Sequence, residues 1–385
     1  MDTSAAALCY IVSAIVRHME YLFSKRIFLG LIFLALTVGI GTFFRYSAPT
    51  KDACLALQSP EREWCFVRAS DAKAMEEGIP AALAYVRDIV KPNTNYKVAH
   101  MAMHMVGHHA YMHDDLGTAH SYLPAEDAAI DEFLDFNGYL HGVFEAFFVD
   151  QKERPVLDLM HEACADYYTS SPGVSRPESI LGPECFHAVG HALMFIGGND
   201  VPESLVRCDL LPHPWMRLWC YHGVFMENHY LHISGYMPDA PRPFATGDAA
   251  LRMCHALERK YQSACSQFVG WIHIEIHPED FAGAFDACGK FDGTDARICI
   301  ARTARFQIAT PKHDTDFIIR TCSGPGVHED ACLYGAGVGI SEGIAGFSAQ
   351  QRDFCALVAE RFQNGCAEAV ARSKESLARI YVTEL

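Results

Sequence analysis

The spacing of the cysteines constrains the fold of this chain more than any other feature. Fourteen of the fifteen cysteines fall into seven neighbouring pairs, and Cys9 stands alone near the N-terminus. Regular pairing of this kind predicts one disulfide per structural unit, formed in an oxidising compartment. The alternative is that the cysteines are free and serve as small core residues. The predicted pairs are Cys54/Cys65, Cys164/Cys185, Cys208/Cys220, Cys254/Cys265, Cys288/Cys299, Cys322/Cys332 and Cys355/Cys366.

A short motif around the second cysteine of the pairs recurs along most of the chain. Its clearest copies are Cys185-Phe-His187-Ala-Val-Gly190-His191 and Cys220-Tyr-His222-Gly-Val. Two copies, at 102–108 and 139–145, lack the cysteine but keep the rest. The nine copies begin at 65, 102, 139, 185, 220, 265, 299, 332 and 366, and most are 33 to 37 residues apart. A period of this length is typical of stacked supersecondary units.

The repeating unit is predicted to be helical. Apolar residues follow helical spacing over 71–90, 98–112, 128–149 and 352–377. Gly, Pro and Asp cluster between paired cysteines, so each disulfide is expected to join the end of one helix to the start of the next. The period and helicity resemble those of TPR, Sel1 and HEAT arrays. We therefore predict an all-α solenoid of about nine disulfide-stapled hairpins, interrupted by loop-like insertions at Thr169–Glu184 and Ile233–Asp248.

An uncharged apolar run of 18 residues, Ile27–Phe44, precedes the repeats. As a helix it would span about 27 Å, enough to cross a membrane. The basic residues before it predict a cytoplasmic segment 1–26, an anchor 27–44 and a helical-repeat domain 45–385 on the periplasmic, extracellular or lumenal side. This topology puts Cys9 on the reducing side and every predicted pair on the oxidising side. A cleaved signal peptide is the alternative, although the run is long for one.

The balance of charge bears on the partners of the chain. The formal net charge is −16, so no basic field is present to neutralise phosphates, and a nucleic-acid partner is excluded. The predicted partners are the membrane, through the anchor, and an envelope protein or peptide bound by the repeats.

Histidine occupies the third position of the motif in four consecutive copies and in none of the others. The second to fifth copies carry His104, His141, His187 and His222 there. Four residues later, on the same face of a helix, come His108, Glu145 and His191, and the fifth copy has Glu227 after five. These eight residues are the predicted metal ligands.

The same ligands reveal a longer duplication. The segment at 104–108 matches that at 187–191, and the segment at 141–145 matches that at 222–227. Two blocks facing each other could hold two metal ions, and imidazole with carboxylate suits iron or zinc. In arrangement only, this resembles deoxyhypusine hydroxylase, in which HEAT-like hairpins supply His–Glu pairs to two irons. A metal-dependent oxygenase or hydrolase is the predicted function.

Three other interpretations stay open. The histidines could be structural, each satisfied by a backbone carbonyl where glycines bring helices close. The run from His100 to His113 mixes methionine with histidine, which suits copper and predicts a copper-handling protein. Finally, the array could be a non-enzymatic scaffold that binds an envelope protein on its concave face.

Overall fold

The computed structural model describes residues 49–58, 61–94, 96–123, 130–165, 181–234, 247–308, 314–324 and 328–341. Within these ranges the regular elements are all helical, with no strand, which confirms the predicted all-α class. None of the helices described there combines the length and the apolar composition that crossing a membrane requires. The predicted cytoplasmic segment 1–26, the anchor 27–44, the pair Cys355/Cys366 and the helix over 352–377 lie outside the described residues.

Short and long helices alternate along the described part of the chain. Two π-helical turns, Val86–Val90 and Ala304–Ile308, directly follow the α-helices Ile79–Tyr85 and Gly293–Thr303. The helices are α1 (Lys51–Leu55), α2 (Glu61–Glu77), α3 (Ile79–Tyr85), α4 (Lys91–Asn93), α5 (Tyr96–His113), α6 (Leu116–His120), α7 (Ile130–Asp150), α8 (Val156–Ala163), α9 (Leu181–Ile196), α10 (Val201–Cys208), α11 (Pro214–Ser234), α12 (Gly247–Ala256), α13 (Arg259–Ile276), α14 (Phe281–Cys288), α15 (Gly293–Thr303), α16 (Thr315–Cys322) and α17 (Glu329–Ser341).

Disulfides fasten the ends of six short helices to the beginning of the next long one. Six of the seven predicted pairs are formed, from Cys54–Cys65 to Cys322–Cys332, with Cα–Cα distances of 5.3 to 5.9 Å. Cys208, for example, ends α10 and is bonded to Cys220 in the second turn of α11. The predicted role of the pairs is therefore confirmed for these six.

Several short helices begin with the same capping device. The side chains of Asp115, Asp200, Asp280 and Asp314 each accept a hydrogen bond from the backbone N–H three residues later. Such a cap satisfies one of the backbone donors that a helix leaves unpaired at its start. In three of the four cases the aspartate lies eight residues before the disulfide cysteine that ends the helix.

Glycines bring pairs of long helices into backbone contact. A Cβ atom on Gly107 would lie 2.0 Å from the carbonyl oxygen of Tyr139, and one on Gly142 would lie 2.0 Å from that of His104. The same reciprocal arrangement joins α9 to α11, where Gly190 faces the Cys220 carbonyl and Gly223 faces that of His187. Since α7 also packs against α9, the four histidine-bearing helices form one continuous layer.

Several predicted boundaries are wrong, including both ends of the second insertion, because α11 continues to Ser234 and α12 already begins at Gly247. The helix expected over 71–90 is divided at Gly78, whose φ of 88° ends α2 and lets α3 begin in a new direction. The insertion expected to reach Glu184 ends earlier, because α9 begins at Leu181. Pro183 lies in the first turn of α9, where its missing N–H has no intrahelical partner to lose.

Candidate metal centre

Six histidines from α5, α7, α9 and α11 meet in one buried cluster. They come together because the glycines let the paired helices approach to backbone contact, which brings the imidazoles on the two helices close to each other. Two glutamates and one asparagine, also buried, border the rings. The histidines are His100, His104, His141, His187, His191 and His222.

The first half of the cluster lies between α5 and α7. The Nε2 atom of His104 is 3.1 Å from Nε2 of His100 and 3.2 Å from Nδ1 of His141. A metal ion with bonds of about 2.0–2.1 Å holds neighbouring nitrogens roughly 3.0–3.4 Å apart. Two of the three distances therefore match ligands on one ion, and the three ligand atoms lie within 4.8 Å of one another.

Outer partners orient two of these rings. Nδ1 of His104 lies 3.2 Å from a carboxylate oxygen of Glu145, and Nδ1 of His100 lies 3.0 Å from Oδ1 of Asn137. Because both partners accept hydrogen bonds, they hold the ring proton at Nδ1. When both rings are neutral, the Nε2 atoms of His100 and His104 are then unprotonated, and two lone pairs face each other across 3.1 Å. A carboxylate or amide oxygen behind a histidine is the usual support of a metal ligand.

The second half, between α9 and α11, is built in the same way. Nε2 of His187 lies 3.1 Å from Nε2 of His191, and Nδ1 of His191 lies 2.5 Å from Glu227. The Nδ1 atom of His187 is 2.8 Å from Nδ1 of His222. Glu227 thus holds the proton of His191 at Nδ1 and leaves its Nε2 free to bind an ion.

The His141 ring contacts rings of both halves. Its centroid lies 5.0 Å from that of His100, 5.1 Å from His104, 4.9 Å from His187 and 4.0 Å from His191, on which it stacks. Among the described residues, its buried Nε2 atom has no hydrogen-bond partner.

Three overlapping groups of side chains could hold a metal ion, with ligand atoms that lie within 4.8 Å of one another. Because His104, His141 and His191 each belong to two groups, the groups describe one centre rather than three separate sites. They are His100/His104/His141, His141/His187/His191 and His104/Glu145/His191.

Burial keeps most of these imidazoles neutral. Desolvation, reinforced by the neighbouring rings, holds the pKa values of five histidines well below their usual range. Neutral imidazole is the form that binds metal. The buried Arg302 guanidinium also lowers the pKa values of His187 and His222. The five are His100, His141, His187, His191 and His222.

The charges of the acidic side chains work in the opposite direction at one ring. Burial alone lowers the pKa of His104. The negative charge of Glu145, and more weakly that of Glu227, outweighs this effect, so the net pKa of His104 is above the ordinary value. Burial raises the pKa of Glu145, and it raises that of Glu227 to about 7. Ionised Glu145 is therefore stabilised in the cluster only when His104 is protonated or another cation lies beside it.

Comparison with known proteins assigns no family to this centre. No protein-family model, no curated protein and no solved structure matches the chain.

The predicted ligands divide into three sets by position. His104, His141, Glu145, His187 and His191 belong to the groups that could hold an ion. His222 and Glu227 lie behind them, at the outer nitrogens of His187 and His191. His108 is only partly buried, and its charged neighbours include His109 and Asp71 as well as Glu145 and His104.

The sequence pattern missed His100 as a member of the two-block site and placed it only in the copper alternative. The sequence match between the two blocks aligns His104 and His108 with His187 and His191. In the structure, the pair that corresponds to His187 and His191 is instead His100 and His104. A usable signal was Gly138, where a Cβ atom would lie 2.5 Å from the His100 carbonyl oxygen and 3.0 Å from its Nδ1. In the second block the matching residue is the bulky Trp219, which packs against His187.

The thioethers of the copper alternative differ in their exposure. Met112 is 64% exposed, and Met101 and Met105 are partly buried against the hydrophobic core.

Proposed function

We propose that this chain binds one or two transition-metal ions in the buried histidine cluster. The observation that carries the proposal is the pair of facing Nε2 atoms on His100 and His104. Asn137 and Glu145 hold their outer nitrogens, so between two neutral rings this contact has no proton, and it becomes favourable only when a proton or another cation enters. A cation at this point replaces a repulsive contact with coordination bonds. A core of neutral structural histidines would leave this contact repulsive.

The donor set suggests the metal and its chemistry. Imidazole with one carboxylate suits iron, zinc and copper. The rings and Glu145 are at most 7% exposed, so bulky substrates have no direct route to an ion bound among them. The reaction that fits is activation of a small molecule, water or dioxygen, as in a metal-dependent hydrolase or oxygenase. The acid–base groups beside such a molecule would be Glu145 and Glu227.

We further propose that the centre lies in an extracytoplasmic α-solenoid anchored by the segment 27–44. Six disulfides support an oxidising compartment, since such bonds are rare in the cytosol. Support for a solenoid comes from the long helices, each of which packs against the next along the described chain.

Elemental analysis tests the metal proposal directly. Full-length protein is expressed into an oxidising compartment, purified without chelator, and compared with a His104→Ala/His191→Ala double variant. We expect bound iron, zinc or copper in the wild type and its loss in the variant. The matched control is His161→Ala, which removes an exposed histidine from α8 and should keep the metal. Metal-free wild type that also binds none of the three ions on titration would refute the proposal.

The same experiment separates the competing functions. Copper alone, bound reversibly and without turnover of oxygen or of ester substrates, would favour copper handling. A folded double variant that supports the same cellular process as the wild type would favour a scaffold that binds an envelope protein or peptide.

A further inference from the structure

The clustered histidines differ in whether a polar group lies next to the outer nitrogen of the ring. Each of four rings has a polar partner behind it: Asn137 for His100, Glu145 for His104, His222 for His187 and Glu227 for His191. These four rings can each bind an ion through the other nitrogen. The fifth ring, His141, uses Nδ1 toward His104, and its Nε2 atom has no hydrogen-bond partner within the described chain.

His141 also differs from the other four rings in its position between the two halves of the cluster. The ring is fully buried, so water does not satisfy Nε2 in place of a protein group. Leaving a buried polar nitrogen unpaired is unfavourable. His141 is also the only residue shared by the two all-histidine groups among the described residues. A ring in this position can meet one ion on each side.

We propose that His141 bridges two metal ions, binding one through Nδ1 and the other through Nε2. This inference rests on the proposed metal-binding function and specifies its nuclearity. The first ion would lie with His100 and His104, and the second with His187 and His191. Binding through both nitrogens requires the neutral ring to release its N–H proton to solvent as the second ion binds. One imidazolate ring would then join the two ions through the in-plane lone pairs of its two nitrogens.

Cu(II) is a suitable probe because imidazole binds it well and its unpaired electron reports the bridge. Chelator-treated full-length protein is titrated with Cu(II), and bound copper is compared with the spin count from electron paramagnetic resonance at low temperature. We expect two bound ions and a spin count well below the copper count, since a shared imidazole couples the two spins. One bound ion, or two ions with the full spin count, would overturn the bridge while leaving metal binding intact.

Two variants locate the bridge. His100→Ala should remove the first ion only and leave a single Cu(II) with its full spin signal. His141→Ala should abolish the coupling, whatever copper it retains. If circular dichroism shows that His141→Ala does not fold, the wild-type spin count and the His100→Ala variant still decide the question. Failure of wild-type protein to bind any Cu(II), Zn(II) or Fe(II) would instead refute the proposed function itself.

Discussion

The Nε2 atoms of His100 and His104 lie 3.1 Å apart, one turn from each other on α5. The second motif position on this helix, His108, lies one turn further on and is partly exposed. The sequence duplication indicates His104 and His108 as the ligand pair of the first block. The structure instead pairs His100 with His104, one helical turn earlier.

This displacement predicts a contrast between two alanine variants of the same helix. His100→Ala should lower the metal content by one ion per chain, whereas His108→Ala should leave it unchanged, because only His100 faces His104 and His141. Both are single histidine removals from α5, so each is the control for the other. Elemental analysis of the two purified proteins measures the difference. Equal losses in both variants would contradict the geometry described here.

The glutamates behind His104 and His191 should set the affinity for metal without being essential for it. Glu227→Gln keeps the shape of the side chain but removes the charge that orients His191. We expect metal affinity to fall by about 10- to 100-fold, the usual effect of losing such a support. Competition with a chromophoric chelator gives the dissociation constants. Glu162→Gln, at an exposed position on α8, should show wild-type affinity.

Glycine at the helix crossings should be required for both stability and metal binding. In Gly190→Ala the new Cβ atom would lie 2.1 Å from the Cys220 carbonyl oxygen, so α9 and α11 must move apart. We expect destabilisation by about 1–3 kcal/mol, as for overpacked cores, together with weaker metal binding. Urea unfolding and metal titration measure the two effects.

The control is Gly117→Ala, where the nearest atom to the new Cβ is 3.5 Å away and the residue lies within α6. Alanine there should leave the stability unchanged or raise it slightly, by up to about 1 kcal/mol. Equal destabilisation by the two substitutions would show that the crossing distance is not the cause.

The disulfides should contribute stability wherever they occur, but only some should affect the centre. Replacing Cys208 and Cys220 by serine removes a link that holds α10 to α11, which carries His222 and Glu227. Closing a loop of this length stabilises by about 2–3 kcal/mol. Replacing Cys54 and Cys65 should cost a similar amount by chemical denaturation, yet only the first pair of substitutions should weaken metal binding.

The buried histidines predict that metal-free protein loses stability as the pH falls below about 6.5. Their pKa values are lowered in the folded state, so the unfolded chain binds more protons in this range. Each such histidine removes up to about 1.4 kcal/mol per pH unit. The raised pKa values of His104, Glu145 and Glu227 make the folded state more stable on acidification. These three groups are outnumbered by the five histidines whose pKa values are lowered.

Urea unfolding of chelator-treated protein at several pH values measures this dependence. The variant His222→Gln removes one of the five lowered histidines and should show a shallower decline between pH 6.5 and 5.5, relative to its own stability at pH 7.5. A stability that rises on acidification over this range would contradict the neutral state of the cluster.

Much of this protein follows from local sequence patterns. Helicity followed from apolar periodicity, and in a helical chain cysteines 10 to 12 residues apart meet across a short helix–loop–helix turn, so the spacing predicted most of the pairs. Histidine at one motif position in four successive units indicated a shared location for His104, His141 and His187. These features depend on contacts close in sequence or on a repeated register.

Tertiary structure alone decided which nitrogens meet. His100 entered the cluster, and His108 did not, because Gly138 on the neighbouring helix makes room one turn earlier than the sequence match between blocks implies. The outer partners Asn137 and Glu227, and the central position of His141, likewise depend on how α7 packs between α5 and α9. Such choices depend on distances of an ångström between helices far apart in sequence, which residue spacing along the chain does not encode.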